Sequence, residues 1–214
     1  MRVVLEVAPR KAFATAIDWP GWSRSGRTDA DALQRLLDYA PRYARVARRA
    51  KVPFDPPASI DGFEVVERLS GGGGTEFGVP GEAASAEDGD AVDDGDLERL
   101  EALLRAAWAT FDAAASSAQG IELATGPRGG GRDVDKIVEH VREAEVAYLG
   151  QLGSKPPASA DDLRDAFLET LRARVRGTPI ANPRNTRKPW SPRYAVRRSA
   201  WHSLDHAWEI EDRS

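Results

Sequence analysis

The chain contains no cysteine. That excludes a disulfide framework, thiolate metal ligands and a cysteine nucleophile, so any thiol chemistry must use a thiol carried by a substrate or cosubstrate. Long apolar runs are missing as well. None approaches the roughly 18 residues that a membrane span needs. The opening Met1-Arg2-Val3-Val4-Leu5-Glu6 is too short and too soon charged for a signal peptide. A cytoplasmic protein with no membrane partner is the expectation. Histidine is scarce, with three in 214 residues. The remaining composition is ordinary for a globular protein: 41% hydrophobic residues, 30% charged residues and a net charge of -4.

The charge is unevenly spread. From Glu82 to Glu101 there are nine acids against one arginine, and from Arg172 to Arg198 nine basic residues and no acid. Such blocks read as a solvated linker and a solvated face, or, for the basic block, as a surface toward an anionic ligand. An isolated basic block in an acidic protein does not argue for nucleic acid.

Residues 1–80 read as a small α+β unit. Arg2–Val7 and Ala12–Ile17 are β-rich and flank a hairpin turn over 8–11. Asp18-Trp19-Pro20-Gly21-Trp22 breaks the strand pattern. Thr28 caps a helix carrying Leu33, Leu36, Leu37 and Tyr39, which Pro41 ends or kinks because proline has no N–H to donate. A second helical stretch reaches about Ala50, and Phe63–Leu69 alternates as a strand. Ser70-Gly71-Gly72-Gly73-Gly74 lacks the ending of a phosphate loop and a helix directly after it, so it reads as a flexible turn. Residues 81–95 are expected to be an acidic linker or solvated loop.

From residue 96 to 214 the pattern is helical. Four helices are expected, over about 96–117, 133–149, 159–175 and 192–212, with a glycine-rich loop over 126–131. Pro192 takes the first turn of the last helix, where proline is tolerated. The expected fold class is therefore an α+β N-terminal unit followed by an all-α four-helix bundle.

His202 and His206 stand one helical turn apart on one face, a spacing that lets two imidazoles reach one ion. His140 lies mid-helix on the side of Ile137, Val141, Ala144 and Tyr148, which must turn inward. A histidine on a buried face needs hydrogen-bond partners or a metal. Together the three predict a centre for one divalent transition metal (zinc, nickel or manganese) between two helices. Glu209 shares the stripe of His202 and His206. It is a candidate to hold a histidine N–H or act as general base, or else to pair with Arg213. Glu143 and Asp205 flank the ligand faces as weaker candidates. Arg197 and Arg198 precede the ligands by about one turn and either steer an anionic substrate or form a solvated edge.

The stretch Asp133-Val134-Asp135-Lys136-Ile137-Val138-Glu139-His140-Val141-Arg142-Glu143-Ala144-Glu145 resembles the first metal-ligand helix of the DinB-like superfamily. Trp201-His202-Ser203-Leu204-Asp205-His206-Ala207-Trp208-Glu209 resembles its closing helix. The resemblance covers about residues 96–214. It implies a four-helix bundle with an open metal position beside three histidines. For activity it implies a low-molecular-weight thiol such as mycothiol or bacillithiol, used by an S-transferase or isomerase. Asp18-x-Pro20-Gly21-x-Ser23-x-x-Gly26 followed by a helix resembles the hairpin-to-helix turn of the HicB-like fold. Hydrolysis by the same metal centre, and a non-catalytic protein whose metal only stabilises the bundle, are the rival readings. Expected partners are a small-molecule substrate and a second copy of the chain, with nucleic acid not expected.

Overall fold

The computed structural model describes residues 1–81, 84–125 and 131–214. The chain divides into two compact units, Met1–Asp90 and Ala91–Ser214.

The first unit is built on a four-stranded mixed sheet. Strands β1 (Arg2–Ala8) and β2 (Lys11–Ala16) form an antiparallel hairpin. A short strand β3 (Ser23–Gly26) pairs antiparallel with β2, and β4 (Glu64–Ser70) pairs parallel with β1, giving the order β3-β2-β1-β4. A parallel neighbour needs a crossover. Helices α1 (Asp29–Asp38) and α2 (Ala40–Arg49) lie within it. Thr28 caps α1 in a reciprocal box with Asp31, and Pro41 sits in the first turn of α2, so the proline divides two helices.

β3 is a strand that sequence periodicity missed, because four residues of mixed polarity carry no alternation long enough to register. The glycine run is corrected too. A short helix α3 (Gly73–Phe77) begins inside it. Its Thr75 hydroxyl donates to the buried carboxylate of Glu6, which also accepts from the Gly81 N–H at 2.6 Å. Trp19 and Trp22 form a packed corner. Trp22 is fully buried, stacks on Tyr43 at 5.5 Å and donates its indole N–H to the Leu36 carbonyl. Nor is the acidic stretch wholly solvated. The Ser85 hydroxyl donates to Glu67 of β4 at 2.5 Å, and Asp88 is buried. Residues 82 and 83 of that stretch lie outside the described residues.

The second unit is helical. It comprises α4 (Asp94–Ser117), α5 (Val134–Leu152), α6 (Leu163–Arg176) and α7 (Pro192–Arg213). Asp93 and Asp133 cap α4 and α5 by accepting from Asp96 N and Lys136 N. α6 starts four residues later than expected, since residues 159–162 form bends and turns before it. The glycine-rich loop expected over 126–131 lies outside the described residues except at Gly131.

α7 packs against α4, α5 and α6 and is buried on most of its circumference. Next to its C-terminal half, Phe111, Ala114 and Ala115 of α4 meet Ile137 and Val141 of α5 and Ala207 and Ile210 of α7 in one apolar cluster. The acids opening α4 reach the basic block of this unit: Asp94 pairs with Arg176, Asp96 with Arg193 and Glu101 with Arg172. Among the described residues no helix is long and apolar enough to cross a membrane.

Candidate metal centre

A helix buried on nearly all sides should carry apolar residues all round. α7 does not. It buries Arg197, Ser199, His202, Ser203, His206 and Arg213. Buried polar groups require partners, and those partners define the site.

α5 and α7 bring the three histidines together. The ring centroids of His140 and His202, and of His140 and His206, are 5.0 Å apart, and those of His202 and His206 are 4.6 Å apart. His140 Nε2 and His202 Nε2 approach to 3.2 Å. One nitrogen from each ring lies within 4.8 Å of the other two. His202 is 7% exposed and His206 9%, with His140 half-buried at the rim.

Burial favours the neutral form of two of the rings, His202 and His140. The His202 pKa falls to about 2, chiefly because its imidazole is desolvated and further because His206, His140, Arg198 and Arg132 oppose a positive charge there. His140 is lowered by desolvation first, then by His206 and Arg132, against the opposing pull of Glu143 and Glu209. A neutral imidazole keeps the lone pair that a metal requires.

His206 is oriented by a chain of polar contacts. Its Nδ1 lies 2.8 Å from Glu209 Oε2. The His206 hydrogen bond is the main cause holding the Glu209 carboxyl below its ordinary value. An ionised carboxylate only accepts, so His206 Nδ1 carries the proton that donates to it. Glu209 Oε1 accepts from Arg213 Nη1 at 2.7 Å. The Arg213 guanidinium is itself buried and donates to the carbonyls of Ala124 (2.7 Å) and Arg132 (2.9 Å). The two roles weighed for Glu209, histidine partner and partner of Arg213, are thus filled at once.

The donor set suits a transition metal. Two nitrogens bound about 2.1 Å from one ion stand about 3.4 Å apart at a tetrahedral angle, close to the observed 3.2 Å. An N–H···N bond between two rings fits the same distance, but it leaves the third ring's nitrogen, within 4.8 Å, unaccounted for. The cluster of three histidines can hold a metal ion.

Of the other candidates, Arg198 stands with its guanidinium 5.9 Å from the Tyr148 ring and 4.9 Å from the Trp201 ring. Arg197 is buried beside Tyr194. Glu143 is exposed and Asp205 half-buried. Tyr148, read from sequence only as part of the inward face of its helix, stands beside His202 together with Arg198, the candidate cation of the preceding turn. The Tyr148 ring is 5.7 Å from His202 and 5.2 Å from Trp190. Spacing carried the signal: Tyr148 follows His140 by two helical turns and Arg198 precedes His202 by one, so each continues a ligand stripe. Burial raises the Tyr148 pKa despite the nearby Arg198.

Compared with protein families, with curated proteins and with solved structures, the chain matches none of them.

Proposed function

We propose that the C-terminal unit is a DinB-like four-helix bundle in which His140, His202 and His206 hold one divalent transition metal, and that it activates a low-molecular-weight thiol as an S-transferase or isomerase. The convergence of the chain's three histidines within 4.8 Å, on two helices far apart in sequence, supports the reading most. When bound, the ion supplies undiminished positive charge beside an open position and lowers the pKa of a coordinated thiol. The protein's own residues do the rest. Desolvation favours the unprotonated form of His140 and His202. Glu209 holds the Nδ1 proton of His206 and fixes its ring. Tyr148 and Trp201 flank His202, Trp190 packs on Tyr148, and Arg198 brings positive charge to the same side. For residues 1–80 we propose the HicB-like fold, since the quoted turn motif fills the β2–β3 connection and its Gly26 ends β3 just before α1.

The test is conjugation of a low-molecular-weight thiol to an electrophile by protein loaded with zinc, nickel or manganese. Turnover is expected with the wild type and not with His206→Ala, which should bind metal weakly and keep its fold. Metal binding with no thiol transfer under any ion, or transfer that persists in His206→Ala, would overturn the catalytic assignment.

A further inference from the structure

Most of the basic block between Arg172 and Arg198 is accounted for by partners. Arg172, Arg176 and Arg193 pair with Glu101, Asp94 and Asp96, and Arg174 donates to the Trp190 carbonyl. Arg184, Arg187 and Lys188 are different. All three line one open surface depression of about 590 Å³ at the C-terminal end of α5, with Gly150 and Asn185. No carboxylate among the described residues pairs with any of them. All three side chains are exposed, and together they raise the positive potential over one concave patch, which favours an anion there.

The depression is built by a loop pinned in place. Gly153 ends α5 in the left-handed conformation at φ 116°, which lets the chain turn back. The returning segment then seals the helix end: Arg184 N donates to Gly153 O and Trp190 N to Gln151 O, each at 2.9 Å. The Thr186 hydroxyl donates to Gly150 O at 2.9 Å. Arg184 lies across Gly150, where a Cβ would stand 3.1 Å from its guanidinium carbon, so the missing side chain makes room for the cation. The carbonyls of Gly150, Gln151 and Gly153 are thus engaged without the three cations.

We propose that this depression binds a phosphate-bearing small molecule. Three cations call for more than the single charge of one carboxylate. The guanidinium fork matches phosphate oxygens two at a time, with lysine as a point charge beside it. The site need not depend on the metal reading. It lies ten residues along α5 from His140, a rise of about 15 Å, with Tyr148 between them on the helix and the Trp190 ring 5.2 Å from Tyr148. A ligand anchored by its phosphate and extended along α5 would present its other end to the histidines. That second statement rests on the proposed metal centre.

The experiment titrates pyrophosphate into the full chain, with chelator and with zinc, and follows binding by calorimetry. Saturable binding is expected in both, so failure of the metal centre and failure of this site are read separately. Arg187→Ala combined with Lys188→Ala, and Arg184→Met alone, should each weaken binding at least tenfold with an unchanged melting temperature. Absence of saturable binding, affinity unchanged in these variants, or equal affinity for citrate would overturn the proposal. So would variants that lower the melting temperature without touching affinity, since the cations would then be serving the helix end. A single-stranded oligonucleotide that displaces pyrophosphate with much higher affinity would replace the small ligand by nucleic acid and overturn it too.

Discussion

Replacing Glu209 by glutamine isolates the link between the polar chain on α7 and the metal centre. The carboxylate accepts from two donors, His206 Nδ1 at 2.8 Å and Arg213 Nη1 at 2.7 Å. Glutamine has one acceptor oxygen and an NH2 group, so it serves one partner and turns a donor toward the other. If it keeps Arg213, His206 loses the acceptor that fixes its tautomer and ring plane. Loss of such a partner typically weakens metal binding about 10- to 100-fold, or about 1.4–2.7 kcal/mol. If it keeps His206, the cost falls on Arg213, whose guanidinium is buried but retains the carbonyls of Ala124 and Arg132. Stability then drops by about 1–3 kcal/mol, as for a buried donor left unmatched. Zinc affinity by competition with a chromophoric chelator, and melting of the chelated protein, together cover both cases. A zinc affinity within twofold of wild type together with an unchanged melting temperature would show that Glu209 orients nothing.

Chelated wild-type protein should still melt cooperatively, because the apolar cluster of α4, α5 and α7 is complete without an ion; loss of helical signal on chelation would make the metal structural. Gly26→Ala should destabilise the first unit by about 1–3 kcal/mol or more, since a Cβ there would stand 2.5 Å from the Asp31 carbonyl carbon and overlap the Ala32 nitrogen. A near-neutral result by denaturant melting would mean that α1 can shift off the strand. Glu145 has its carboxyl raised above the ordinary 4.5, with burial outweighing Arg164. A raised acid contributes stability that is present below 4.5 and lost as pH rises through its folded value. Wild type should therefore lose ground to Glu145→Gln between pH 4 and neutrality; the opposite trend in paired thermal melts would mean that Arg164 dominates.

Much of the helical architecture was legible in local chemistry. Asp133 and Pro192 mark the beginnings of α5 and α7, and Gly177 marks the end of α6, whereas α5 runs three residues past the expected 149 before Gly153 ends it. These signals depend on a few adjacent residues whose dihedrals and orphan N–H groups are decided locally. β3 was not legible, because its four residues become a strand only by pairing with β2. The glycine run was misread for a similar reason: α3 is held by Thr75 reaching Glu6, a residue 69 positions away.

The sequence by itself determined that three histidines exist, that two share a helical stripe, and that no thiolate of the protein can assist them. It determined this because helical periodicity converts spacing into direction. Only the tertiary structure decided that His140 meets the pair, that Arg213 is held by the carbonyls of Ala124 and Arg132, and that Arg184, Arg187 and Lys188 share one depression. Those facts depend on how α5, α7 and the loop before α7 pack, and packing brings together residues such as Arg213 and Ala124, 89 positions apart, whose mutual distance no local rule contains.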